Sequence, residues 1–161
     1  IGELSAMEAK EFIALLDEGA LLFRRLSVVL QSLIEAAKVR DTEKITSDTA
    51  ELVLVRDEAV KFETRLVILA KAAAQKRGLD PKDFKLASLD TNGLLADRLD
   101  QLKKNVSEVA SKAAQVSGIL TANVTVIEET IKVLQSLDAR AVGYGSSASP
   151  ARPARLWDQK A

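Results

Sequence analysis

The strongest constraint on this chain is an apolar residue recurring at alternating four- and three-residue steps in three separate segments. That spacing averages 3.5 residues per return. It is the period of α-helices that wrap around one another, not the period of two that a half-buried strand needs. The first segment runs from about Ser5 to Val39 and places Phe12, Leu16, Gly19, Phe23, Leu26, Leu30, Leu33 and Ala37 in line. Ile13, Leu15, Leu22, Val29 and Ile34 widen this stripe, so the helix must touch more than one neighbour. Ser5 and Glu8 fit a capping box at its start. Gly19 weakens a helix locally by about 1 kcal/mol relative to Ala, and its place in the stripe points to a close approach there.

The second segment reads Ile45, Asp48, Leu52, Val55, Ala59, Phe62, Leu66, Leu69, Ala73. Asp41 and Thr42 are good N-caps for it, and Gly78 is a natural residue just past its end, with Lys76 and Arg77 in the last turn. Few residues separate the two segments, which implies an antiparallel hairpin. Asp80-Pro81 should open a short helical turn ending near Leu89, and Thr91-Asn92-Gly93 breaks the pattern again. The third segment is the longest: Leu95, Leu99, Leu102, Val106, Val109, Ala113, Val116, Leu120, Asn123, Ile127, Thr130, Leu134, Leu137, Ala141. As one helix it would be roughly 70 Å long, against roughly 50 Å for each of the others, so one end should overhang the hairpin.

The expected fold is therefore all-α: an elongated antiparallel bundle of three long helices with coiled-coil packing, over about residues 5–39, 43–77 and 92–141, with a turn at 81–89. Its core should include Phe23, Leu26, Leu30, Leu52, Val55, Phe62, Leu66, Leu102, Val106 and Val109. The helical domain spans residues 1–142. Residues 143–161, small, polar and proline-bearing with Leu156-Trp157 near the end, are expected to form a flexible C-terminal tail; they lie outside the residues described below.

Composition narrows the chemistry. The 161 residues include no cysteine and no histidine, which removes disulfides, thiolate nucleophiles and the commonest general base and neutral metal ligand. Glu128 and Glu129 lack the histidine partners of a di-metal bundle. Gly143-x-Gly145 lacks the lysine and following helix of a phosphate loop. Neither catalysis, a cofactor nor a metal is expected. Lys plus Arg and Asp plus Glu are both 23, so the net charge is zero and nucleic acid is not an expected partner. No apolar run approaches the roughly 20 residues of a membrane span, and no basic stretch followed by an apolar one opens the given sequence, so secretion is not expected. Asn105-Val106-Ser107 and Asn123-Val124-Thr125 match the glycosylation sequon but are chance matches in a cytosolic chain.

Three features exceed this background. Asp48 is read as pointing outward. Asn123 and Thr130 interrupt the seam of the third segment, either to fix register or because that half of the helix is a partly open groove. Tyr144, between two glycines, either packs back on the last turn or anchors a partner. Leu156-Trp157 is a tail tip or a short linear anchor.

The arrangement resembles the FlgN family of flagellar type III export chaperones. The likeness lies in Leu30-Gln31-Ser32-Leu33-Ile34-Glu35-Ala36-Ala37, in Arg40-Asp41 before the second helix, in Leu120-Thr121-Ala122-Asn123-Val124-Thr125-Val126-Ile127, and in Tyr144-Gly145-Ser146-Ser147. Ala50-Glu51-Leu52 stands where the family usually carries a lysine, and Ser146-Ser147-Ala148 where a further glycine is common. The resemblance implies a cytoplasmic chaperone that binds the amphipathic C-terminal helices of hook-filament junction proteins and keeps them unpolymerised before export. Client contact is expected along the overhanging stripe Leu120, Asn123, Ile127, Thr130, Ile131, Leu134 and Leu137, and contact with the export gate at Tyr144. The alternative is a structural or signalling homodimeric coiled coil without a client.

Overall fold

The computed structural model describes residues 2–89, 92–116 and 121–138. Within them the chain is all-helical: α1 (Gly2–Lys38), α2 (Thr42–Lys76), two 3-10 turns (Pro81–Asp83 and Leu86–Leu89), α3 (Leu94–Gln115) and α4 (Thr121–Leu137). α1 packs against α2 and α3, and α4 packs against α2 and α3, which sets the helices in the cyclic order α1, α2, α4, α3. The expected core residues are all buried there, joined by Phe12, Leu16, Phe84, Leu86 and Leu95.

Side-chain partners fix the directions. Glu18 meets Arg65, Arg25 meets Glu58 and Ser32 meets Asp48, so α1 and α2 are antiparallel. Asp17 meets Arg98, the Ala20 carbonyl meets Asn105 and Ser27 meets Lys112, so α3 runs parallel to α1. Lys103 in the middle of α3 meets Asp138 just past α4, although only a short link joins Val116 to Thr121, so α4 runs back along α3.

This last relation corrects the expected single third helix. α3 stops at Val116, whose N–H bonds the Ala113 carbonyl, and the chain returns from Thr121 as α4. Among the described residues the bundle has four long helices rather than three, and α4 lies back on the bundle instead of overhanging it. The physical reason is burial: turned back, α4 buries Val126, Ile127, Leu134 and Leu137 against α2 and α3, where a straight continuation would leave them in water. Gly118 is the one glycine between Leu94 and Leu137, but the apolar spacing passes through it in phase. Periodicity alone therefore carries no mark of the break.

The helix ends follow local chemistry. Asp41 caps α2 by accepting from the Lys44 N–H, and Asp80 caps the first 3-10 turn by accepting from the Lys82 N–H ahead of Pro81. α2 closes with a Schellman pair: the Leu79 N–H bonds the Ala74 carbonyl and the Gly78 N–H bonds that of Gln75, with Gly78 at φ 65. The proposed capping box at Ser5 is not used, because α1 already begins at Gly2 and Glu8 turns inward to Arg77.

Gly19 has the close approach expected of it. A Cβ built there would lie 2.6 Å from Phe62 Cε1, inside the ring's own contact shell. Gly→Ala in a mid-helix position normally gains about 1 kcal/mol. Here Gly19→Ala should instead lower stability by about 1–3 kcal/mol through overpacking, read as a lower urea midpoint at unchanged slope.

Candidate functional site

Part of the stripe expected to receive a client belongs to α4, and it faces inward. Ile127, Thr130, Leu134 and Leu137 are buried, and Ile131 is half-buried against the same core. Tyr144 and Leu120 lie outside the described residues. Asn123 falls within α4, but its side chain also lies outside what is described. What the chain presents is thus an amphipathic helix seated in a groove between α2 and α3. Thr130 fits this seat because its hydroxyl donates to the Val126 carbonyl at 2.9 Å, so a buried polar group is satisfied within its own helix.

Polar contacts hold the far end of α4. Lys103 Nζ lies 2.7 Å from the carboxylate of buried Asp138, and Lys85 Nζ donates to the Ser136 carbonyl at 2.5 Å. Two cations thus meet the end of α4 where the helix carries partial negative charge. The α2 side is less favourable. Burial raises the Glu63 carboxyl above its ordinary value, and the nearby Glu129 carboxylate of α4 adds to the rise.

Other polar groups tie the remaining helices. Asp48 does not point outward as expected. It is buried, accepts from the Ser32 hydroxyl at 2.7 Å and pairs with Lys44 at 3.3 Å, because the seam of α2 brings it onto α1. Asn105 donates to the Ala20 carbonyl at 2.9 Å and accepts from Gln101 at 3.0 Å, so its amide is a buried strut between α3 and α1. At one end, Arg77 forks onto Glu8 at 2.9 and 3.1 Å and lies 5.8 Å over the Phe84 ring, which itself stacks on Phe12. The hydrogen bond from Arg77 holds the Glu8 carboxyl below its ordinary value. Nothing in the sequence pairs Glu8 with Arg77, since by local rules each belongs to a helix end. The Asn105 strut has one signal in the sequence, its place three residues after Leu102 on the seam side.

A second surface lies on the outside of the α1–α2 hairpin. Leu21, Val28, Leu54 and Ile68 are exposed there, and the ion pairs Arg25–Glu58 and Glu18–Arg65 cross the groove at 2.7 Å each. Among the described residues no group of three or more Asp or Glu side chains is placed to hold a metal ion, and no helix is long and apolar enough to cross a membrane. No protein-family model, no curated protein and no solved structure matches this chain.

The two perturbed carboxylates act on stability in opposite directions. Folding raises the Glu63 pKa, so its contribution is complete below the ordinary carboxylate value and is lost as pH rises through the folded value. Folding lowers the Glu8 pKa, so its contribution is present above the ordinary value and is lost as pH falls through the folded one. Glu63→Gln should therefore stabilise the chain at neutral pH by a few tenths to about 1 kcal/mol. In urea titrations the gain should shrink as the pH is lowered through the carboxylate range. A gain of equal size at both pH values would mean that the Glu63 charge is not what opposes α4.

Proposed function

We propose that this chain binds amphipathic helices. In the reading that the resemblance implies, it is a cytoplasmic flagellar export chaperone that keeps the C-terminal helices of hook-filament junction proteins unpolymerised before type III export. The observation that carries this reading is α4 itself. The chain holds a 17-residue amphipathic helix on the shared face of α2 and α3, with Ile127, Leu134 and Leu137 pointing in. A groove that accepts this helix has the shape and polarity to accept another of the same pattern, which is helix-in-groove recognition.

In this reading the client helix takes the seat of α4. The stripe Ile127, Thr130, Ile131, Leu134 and Leu137 then governs client binding by holding the seat closed, while the partly buried Glu63 carboxyl beside Glu129 opposes that hold. A client binds only the fraction of molecules whose seat is free, so loosening α4 raises apparent affinity. Gate contact through Tyr144 is proposed on the resemblance alone.

The test is calorimetric titration of the full chain with a peptide of a junction protein's C-terminal helix. Replacing Ile127 and Leu134 together with Asp puts charge into an apolar contact and releases α4. The account expects binding at least about tenfold tighter in this variant, with α1–α3 still helical by circular dichroism. Weaker binding by a folded variant would make the stripe itself the client contact. No binding by either protein would leave the alternative of a coiled coil without a client.

A further inference from the structure

The outer face of the α1–α2 hairpin carries a pattern that the bundle does not use. Leu21, Val28, Leu54 and Ile68 are 59%, 64%, 60% and 62% exposed, although each is a large aliphatic side chain. They are not scattered. Ala14, Leu21 and Val28 follow one another at heptad steps along α1, as do Leu54, Lys61 and Ile68 along α2. The antiparallel register of the hairpin sets these two lines side by side, with Val28 level with Leu54, Leu21 with Lys61, and Ala14 with Ile68. Between these rungs lie two charged ones, Arg25–Glu58 on one side of Leu21 and Glu18–Arg65 on the other.

Read as a surface, this is a ladder of apolar and charged rungs centred on Leu21 and Lys61. A half-turn about an axis through that central rung, perpendicular to the helices, exchanges the two ends. It carries Arg25 onto the place of Glu18 and Glu58 onto the place of Arg65. It also carries Val28 onto Ala14 and Leu54 onto Ile68. The corner charges Arg25, Glu58, Glu18 and Arg65 alternate in sign, so the half-turn sets each opposite a counter-charge; Glu51, which also pairs with Arg25 at 3.2 Å, balances Lys61, whose two copies meet beside the axis. A foreign surface would have to reproduce this alternation; a second copy does so by construction, which is what a two-fold interface requires.

We infer that this face is a homodimer interface, in which the α1–α2 hairpins of two copies pack antiparallel with Leu21 against Leu21 of the other copy. Arg25 of each copy then lies opposite Glu18 of the other, and Glu58 opposite Arg65. The guanidinium and carboxylate groups have donors and acceptors enough to keep their bonds within the chain while making these new ones. Lys61 extends its ammonium from the central rung toward Glu58 of the opposite copy while its stem covers apolar surface. The ladder from Ala14 to Val28 with its flanks covers roughly 25 Å by 20 Å, or on the order of 500 Å² per copy, a small but specific area. The α2–α3 groove that seats α4 lies on another side of the bundle, so dimerisation is independent of the functional reading above.

The full chain should therefore be a concentration-dependent dimer in sedimentation velocity between about 1 µM and about 1 mM. Leu21→Glu should weaken the dimer at least about tenfold while leaving the helical spectrum and melting temperature nearly unchanged, because Leu21 is 59% exposed on the outer face. Leu21→Cys should form a disulfide-linked dimer under mild oxidation, which a merely apolar, unregistered association would not favour. Two results overturn the inference. One is a monomer over the whole range, which would mean that the C-terminal tail, a client helix or nothing covers this face. The other is a dimer that survives Leu21→Glu and yields no Leu21→Cys cross-link, which would place the interface elsewhere.

Discussion

The packing of Phe62 against Gly19 is the contact on which the remaining geometry depends. The ring enters α1 where there is no side chain to stop it, and its other flank meets Phe23 edge-on at a centroid distance of 6.3 Å. An aromatic knob in a glycine hole tolerates only one register, since a shift by one turn would drive the ring into Leu16 or Phe23 on α1. With that register fixed, Glu18 falls beside Arg65, Arg25 beside Glu58, and Ser32 beside buried Asp48. The exposed ion pairs contribute little to stability by themselves. Their value lies in following from the register that the ring sets, and so in giving the outer face its alternating charge.

The inner face of the hairpin then needs cover. α3 supplies it along α1, guided by the Asn105 amide on the Ala20 carbonyl, one residue from Gly19. Burying that amide without its partners would cost about 1–3 kcal/mol, so the strut selects one arrangement of α3 as well as stabilising it. α4 completes the cover along α2. Its apolar side chains favour the seat, and Lys103 and Lys85 hold its end, while Glu63 facing Glu129 opposes it. A helix held by apolar contact and opposed by a desolvated carboxylate is well placed to be the part of the bundle that yields to a competitor. The functional proposal rests on α4 as the occupant of that seat.

Much of this fold is legible in the sequence. The heptad spacing of α1 and α2, the caps at Asp41 and Asp80, the stop at Gly78 and the role of Gly19 all follow from short-range rules that the structure obeys. The break between α3 and α4 was not legible, because the apolar stripe runs through Val116, Leu120 and Ile127 without losing phase. A stripe says which side of a helix is apolar and not which neighbour it meets, so one long helix and a helical hairpin share the same pattern. The inward turn of the candidate stripe was hidden for the same reason: among the described residues Ile127, Thr130, Leu134 and Leu137 pack into the bundle rather than along an overhang. Contacts between distant residues, such as Glu8 with Arg77 and Lys103 with Asp138, depend on the packed arrangement and leave no local signature.

The central claim is that α4 folds back onto α2 and α3 instead of prolonging α3. The most direct measurement is a pulsed electron-spin distance between labels at Lys104 and Ser136, both on exposed positions. In a continuous helix these positions would stand about 48 Å apart. The folded-back bundle predicts a single narrow distribution below about 25 Å, since neighbouring Lys103 and Asp138 are in contact. A distribution centred near 50 Å would contradict the account and restore the single long helix.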